Sequence, residues 1–210
     1  MAAFAKEKEG KVIIGIAGHG ASGKTTFANQ LIELLNTDVN YLNTDPYIIN
    51  ELRKHSQIDY EFHNEKYSSR MTACHPNPHH ILSLERDITL IKKDFDFLTI
   101  DTPYLRSTLI SSDNKISIVE GMSAAFVNPS LYDISIFLYT DGETELERRS
   151  RRDVAERGAD LEHIKKSHKQ RRIQYELFMH PYSESFDIII NNSCAEKDKE
   201  IAYPYKNSPQ

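Results

Sequence analysis

The sequence predicts an α/β fold, a mainly parallel central sheet with helices on both faces. Three observations predict it. Val12–Ala17 is an almost wholly apolar run ending in glycines, the pattern of a parallel strand buried on both faces. Lys24–Leu35, just beyond it, places Phe27, Leu31, Leu34 and Leu35 at helical spacing. Further short apolar runs then alternate with charged, helix-patterned stretches, which is how a sheet with crossover helices is written in sequence.

In chain order, strands are expected at Val12–Ala17, Val39–Asn43, Phe95–Ile100, Ile116–Val119, Ile134–Tyr139 and Phe186–Asn191. Helices are expected at Lys24–Leu35, Ile81–Lys92, Glu143–Glu156 and Leu161–Phe178. Residues 46–80 break the alternation. They are polar, rich in His, Tyr and Asn, and interrupted by Pro76 and Pro78, and they read as an insertion that binds an acceptor molecule. Residues 195–210 are polar with two prolines and read as a loosely held tail. The 210 residues fit a single domain.

Between the first strand and the first long helix stands Gly18-His19-Gly20-Ala21-Ser22-Gly23-Lys24-Thr25, followed by Thr26. It matches G-x-x-x-x-G-K-[ST] in the strand–loop–helix context that the chemistry needs. Glycines allow consecutive backbone N–H groups to surround phosphate oxygens, and the helix N-terminus adds partial positive charge. Lys24 is expected at the β- and γ-phosphates and the Thr25 hydroxyl at Mg²⁺. Gly18, Gly20 and Gly23 also satisfy G-x-G-x-x-G, the dinucleotide-binding pattern. Lys24-Thr25 separates the two readings, because a triphosphate with Mg²⁺ needs a cation and a hydroxyl there and a dinucleotide does not. The fold class expected is therefore the P-loop NTPase variety of α/β.

Other residues fall where such a sheet delivers its chemistry. Asp45 follows the second strand at the carboxyl edge, as a general base toward an attacking hydroxyl or as a cap of the turn before Pro46. Glu120 ends another apolar run and suits a Mg²⁺-orienting carboxylate; Asp101 ends the run before it and is a weaker candidate. Between Arg148 and Arg157 lie five arginines. Arg148, Arg149 and Arg152 span about one third of a helix circumference, a fan suited to closing over phosphates from residues 143–160. The alternative is a solvated face with i,i+4 pairs Glu145–Arg149 and Glu147–Arg151. Cys74, His75, His79 and His80 read as a histidine-rich pocket rather than a metal site, since the prolines give no tetrahedral spacing.

Composition narrows the function. A net charge of −5 argues against a general nucleic-acid binder, and no apolar run reaches the roughly 20 residues of a membrane span. The N-terminus lacks a secretory apolar region and two cysteines make no disulfide framework; a cytoplasmic protein is expected.

Together GHGASGKT, the acid of TDPY, HPNPHHILSLERDITLI, ISIVEGM, LYDISIFLYTDGETELERRSRRDVAERGADLE and FDIIINN resemble the uridine kinase and phosphoribulokinase group of P-loop kinases, from Val12 to about Asn191. The resemblance implies an ATP- and Mg²⁺-dependent phosphotransferase acting on a hydroxyl of a small metabolite, uridine or cytidine first among them. It implies that residues 18–25 bind ATP and Mg²⁺, that Asp45 is the catalytic base, that Arg149, Arg152 and Arg157 serve phosphates and acceptor from the lid, and that the protein self-associates. Tyr47 and His75 are expected at the acceptor. The chain departs from the uridine kinase pattern at Tyr47-Ile48 after Asp45-Pro46, at Cys74 where an Asp is usual, around Ile100–Tyr104, and at Ala159. Another small alcohol acceptor, or a nucleotide-binding regulator with little transfer, are the competing readings.

Overall fold

Val12–Gly18 has every side chain buried, which a strand achieves only in the middle of a sheet covered on both faces. The computed structural model describes residues 2–157, 160–194 and 201–202. Along it run α1 (Ala2–Glu7), β1 (Val12–Gly18), α2 (Lys24–Leu35), β2 (Val39–Asn43), α3 (Asn50–His55), β3 (Gln57–Phe62), β4 (Glu65–Arg70), α4 (Ile81–Lys92), β5 (Phe97–Leu98) and β6 (Leu109–Ile110). After them come β7 (Ile116–Glu120), β8 (Ile134–Tyr139), α5 (Gly142–Arg157), α6 (Leu161–Phe178), β9 (Ile188–Asn191) and β10 (Ile201–Ala202).

The main sheet has the order β10-β9-β8-β1-β7-β2. Its strands are parallel except β10, which pairs antiparallel with β9. The period-two alternation of β1 divides the core. Val12, Ile14 and Ile16 join Ala5 of α1 and Ala28, Leu31 and Leu35 of α2 on one face. Ile13 and Ala17 join Leu84 and Ile88 of α4 and Tyr175 and Met179 at the end of α6 on the other. The parallel register places Ile16 and Asn43 opposite Glu120, so the ends of β1, β2 and β7 present their next residues to one edge.

Three sequence expectations change. The run Phe95–Ile100 is not a central strand: only Phe97–Leu98 is extended, in a separate two-stranded ribbon with Leu109–Ile110. Phe95 and Leu98 are 55% and 67% exposed, so this apolar run lies on the surface. Residues 46–80, for which the sequence predicts no element, hold α3 and the hairpin β3–β4, whose alternation Ile58, Tyr60, Phe62 and positive-φ turn at His63 and Asn64 (φ 51 and 62) are a two-residue hairpin signal. Tyr60 stacks on Tyr67 at 5.7 Å and meets Phe178 edge-on at 5.9 Å, which seats the hairpin on α6. Within the expected tail, Ile201 and Ala202 form β10 against Ile190 and Ile189.

Candidate active site

The strand–loop–helix junction is built by backbone geometry. Gly23, with φ 95, turns the chain into α2, a conformation L side chains rarely adopt. Gly20 is needed for a different reason: a Cβ there would lie 2.7 Å from the Arg149 guanidinium, so the bare backbone lets an arginine of α5 rest on the loop. Asn192, just past β9, donates to the Ser22 carbonyl at 2.9 Å and pins the loop from the far end of the chain.

This loop forms one wall of a cavity of about 900 Å³. Gly20, Ala21, Gly23, Lys24, Thr25 and Thr26 line it, while Gly18, His19 and Ser22 stand behind them. Lys24 donates to the His19 carbonyl at 3.0 Å. Burial lowers its pKa below the ordinary lysine value, opposed by the carboxylates of Glu120 and Asp45. The His19 ring is buried; its Nε2 accepts from the Thr140 backbone N–H at 2.9 Å, which leaves Nδ1 to donate to the Gly20 carbonyl at 2.9 Å. Burial holds this imidazole neutral, with its pKa near 3.

Thr25 Oγ1 donates to Glu120 Oε2 at 3.4 Å, and Tyr41 donates to the same oxygen at 2.6 Å. A hydroxyl and a carboxylate beside the loop suit a hard cation that takes most of its oxygens from phosphate and water. Among the described residues no group of three or more His, Cys, Asp or Glu could hold a metal by itself, the CHPNPHH segment included. Ser22 Oγ is buried with no hydrogen-bond partner, a further polar atom left over in the loop. The residues thus fit a nucleotide with Mg²⁺.

Asp45 opens the short turn after β2, exposed and in the cavity lining, and its carboxylate makes no hydrogen bond or ion pair among the described residues. The turn is capped without it. Arg148, Arg149 and Arg152 all line the cavity, as the helical fan requires. Arg149 is nonetheless buried and paired with Glu145 at 3.2 Å, and Glu145, read from sequence as a surface partner, is only 2% exposed. Its other oxygen lies 3.7 Å from His19 Nδ1 and 3.7 Å from Arg172 of α6. Arg152 pairs with Asp153 at 2.9 Å, and Arg151 with Glu147 at 2.8 Å on the outer face. The Arg157 side chain and Ala159 lie outside the described residues.

Two expected acceptor contacts are corrected. Tyr47 is a core side chain with no exposure, its hydroxyl hydrogen-bonded to Asp87; the turn begun by Asp45-Pro46 rotates it inward. His75 is outside the cavity lining, tilted against the Phe178 ring with centroids 4.6 Å apart, and its pKa is lowered by burial. Asp101 is exposed and pairs with Arg106 at 3.8 Å. Where Tyr47 and His75 were expected the structure places Ile48, Asn50, Arg53, Thr72, Cys74, Tyr104 and Arg171. Arg53 and Arg171 each stand beside another basic residue, Lys54 and Arg172, on helices far apart in sequence, and no local pattern marks them for one site.

The parallel sheet, the phosphate loop after its central strand, and the acids of β2 and β7 at one edge define a P-loop kinase. Residues 13–198 match the Phosphoribulokinase / Uridine kinase family, and the chain belongs to that family of kinases, which use ATP with Mg²⁺. It is 30% identical over 200 residues to a uridine kinase of Ligilactobacillus salivarius, covering 89% of this chain and 88% of that protein. It is 26% identical over 200 residues to the chloroplastic phosphoribulokinase of Arabidopsis thaliana, covering 85% of this chain and only 49% of that one, so it spans about half of that relative's length. The fold superposes on a D-glycerate 3-kinase of Cryptococcus neoformans with TM-score 0.61, 11% identity and coverage of 96% and 97% of the two chains. Among the described residues no helix is long and apolar enough to cross a membrane.

Proposed function

We propose that this chain transfers the γ-phosphoryl group of ATP to a hydroxyl of a small metabolite, with Asp45 as the base. The observation that carries the reading is the Asp45 carboxylate, without a hydrogen-bond or ion-pair partner among the described residues, in the cavity that Lys24 and Thr25 also line. The acceptor oxygen bonds to the γ-phosphorus as the bond to the β,γ-bridging oxygen breaks; ADP leaves with that electron pair and the acceptor proton passes to Asp45. Lys24 and the loop N–H groups hold the β- and γ-phosphates, and Arg149 and Arg152 neutralise charge from the lid, with Arg157 as its outer member. Thr25 and Glu120 would hold Mg²⁺, which would supply charge neutralisation at the phosphates. The backbone of Gly18 to Thr26 supplies the phosphate cradle.

Uridine is the acceptor that the names of the 30% identical relatives suggest, and a 29% identical relative is named as a uridine-cytidine kinase. The departures at Ile48 and Cys74, both in the cavity wall, favour a different small alcohol. Product mass and ADP release, measured with MgATP and a panel of nucleosides, sugars, sugar phosphates and hydroxy acids against a Lys24→Ala blank, test the reading. Full transfer by the Lys24→Ala protein would sink it, and ATP binding without any transfer would favour the regulator.

A further inference from the structure

Six basic and four acidic side chains line the cavity, and the acids are unevenly committed. Glu145 is held by Arg149 and Arg172, Asp153 by Arg152, and Glu120 by Thr25 and Tyr41. Toward the insertion only Asp45 is left. Arg53 of α3 and Arg171 of α6 line the cavity too, both within electrostatic reach of Arg149 and Arg171 within reach of Arg53.

The guanidinium groups of Arg53 and Arg171 have no carboxylate partner among the described residues. Arg53 donates to the neutral Asn50 Oδ1 at 2.9 Å, and its buried Nε has no partner; the buried Nε of Arg149 has none either. Arg171 forms no ion pair among the described residues. The three positive charges repel: Arg149 lowers the pKa of both Arg53 and Arg171, the latter to about 10, after the larger effect of burial. Cys74 lies in the same wall, and burial pushes its thiol up to about 11, so it supplies no charge to offset them. Half-buried cations without counter-ions are unfavourable unless an anion arrives. The nucleotide phosphates have their own partners in the loop, Lys24, Arg148 and Arg152.

We infer that the acceptor is an anionic alcohol, whose phosphate or carboxylate group is held by Arg53 and Arg171 beside Arg149 while its free hydroxyl faces Asp45. The planar guanidinium fork suits either oxyanion, and two or three forks converging on one group select it over a neutral polyol. The inference rests on the kinase reading above and makes Arg53 and Arg171 determinants of acceptor choice.

The test fills the nucleotide site first. Protein loaded with Mg²⁺ and AMP-PNP is titrated calorimetrically with inorganic phosphate and, separately, with acetate, which tells the two sources of oxyanion apart. Binding of either is expected, weakened about tenfold or more in Arg171→Met and in Arg53→Met. Cys74→Asp, which gives the arginines an internal carboxylate, is expected to weaken it similarly without removing a guanidinium. AMP-PNP binding by each variant reports that it is folded. In turnover, ribose 5-phosphate or glycerate is expected to exceed ribose, glycerol, uridine and cytidine in kcat/KM, and Arg171→Met to act through KM more than kcat. Binding of neither anion, equal binding by wild type and variants, or a higher kcat/KM for uridine or cytidine than for both anionic acceptors overturns the inference. Failure of the kinase reading is visible separately, as AMP-PNP binding that does not depend on Lys24.

Discussion

The part of the cavity made by the phosphate loop and the part made by the insertion and α6 are built from different material. The first is one stretch of backbone, Gly20 to Thr26, whose shape follows from glycine torsions and a helix start. The second is a set of side chains drawn from the Asp45 turn, α3, the segment before α4 and α6. Backbone cradles bind what every member of a kinase class shares. Side chains gathered by tertiary packing bind what differs, and they change one residue at a time.

The sharpest cut between the two walls is at Asp45. Asp45→Asn keeps the shape of both and removes the proton acceptor, so kcat is expected to fall about 10³-fold while ATP affinity, read by equilibrium binding, changes less than a few-fold. Loss of ATP binding instead would place Asp45 with the nucleotide. Next is the point where the walls touch. Gly20→Ala introduces a Cβ where the Arg149 guanidinium rests, and kcat/KM is expected to drop about 10²-fold with the protein still folded by circular dichroism. An unchanged rate would mean that Arg149 need not sit on the loop.

Tyr41→Phe removes the 2.6 Å hydrogen bond that orients Glu120. The Mg²⁺ concentration for half-maximal activity should rise about tenfold, with the acceptor KM unmoved. The smallest effect concerns stability. Burial holds His19 near 3 and His79 near 4 in the fold, whereas unfolded imidazoles take up a proton below about 6.5. The unfolded chain then binds more protons, so stability is full above that value and falls as pH drops toward 4, by about 1.4 kcal/mol per unit for each histidine. Urea unfolding at about pH 7.5 and about pH 5.5 measures the slope, and His19→Asn should remove one histidine's share of it.

The same contrast explains what could be read in the sequence. GHGASGKT, the acids at the ends of β2 and β7 and the arginine fan are each contiguous or fixed by one element's period, so a linear reading finds them. Arg53 and Arg171 reach one cavity through tertiary contacts: Gln174 of α6 hydrogen-bonds Ser69 and the Arg70 carbonyl at 2.9 Å and, with the Tyr60–Phe178 contact, ties that helix to the insertion. No period spans such a contact. The hairpin was legible in the alternation Ile58, Tyr60, Phe62, but charged and polar neighbours masked it. Tyr47 was misjudged because a tight turn, unlike a strand, sends adjacent side chains in directions that spacing does not reveal.

Asn192 is among the last described residues, yet it is hydrogen-bonded to Ser22, near the beginning. A ribosome-bound chain that has emerged only as far as β8 carries the whole glycine motif without this clasp. The phosphate loop is thus written locally in the sequence but pinned from a strand end far along the chain, so its nucleotide affinity depends on β9 being in place. Progressive C-terminal truncations, followed by AMP-PNP binding, should lose affinity abruptly at β9 rather than gradually.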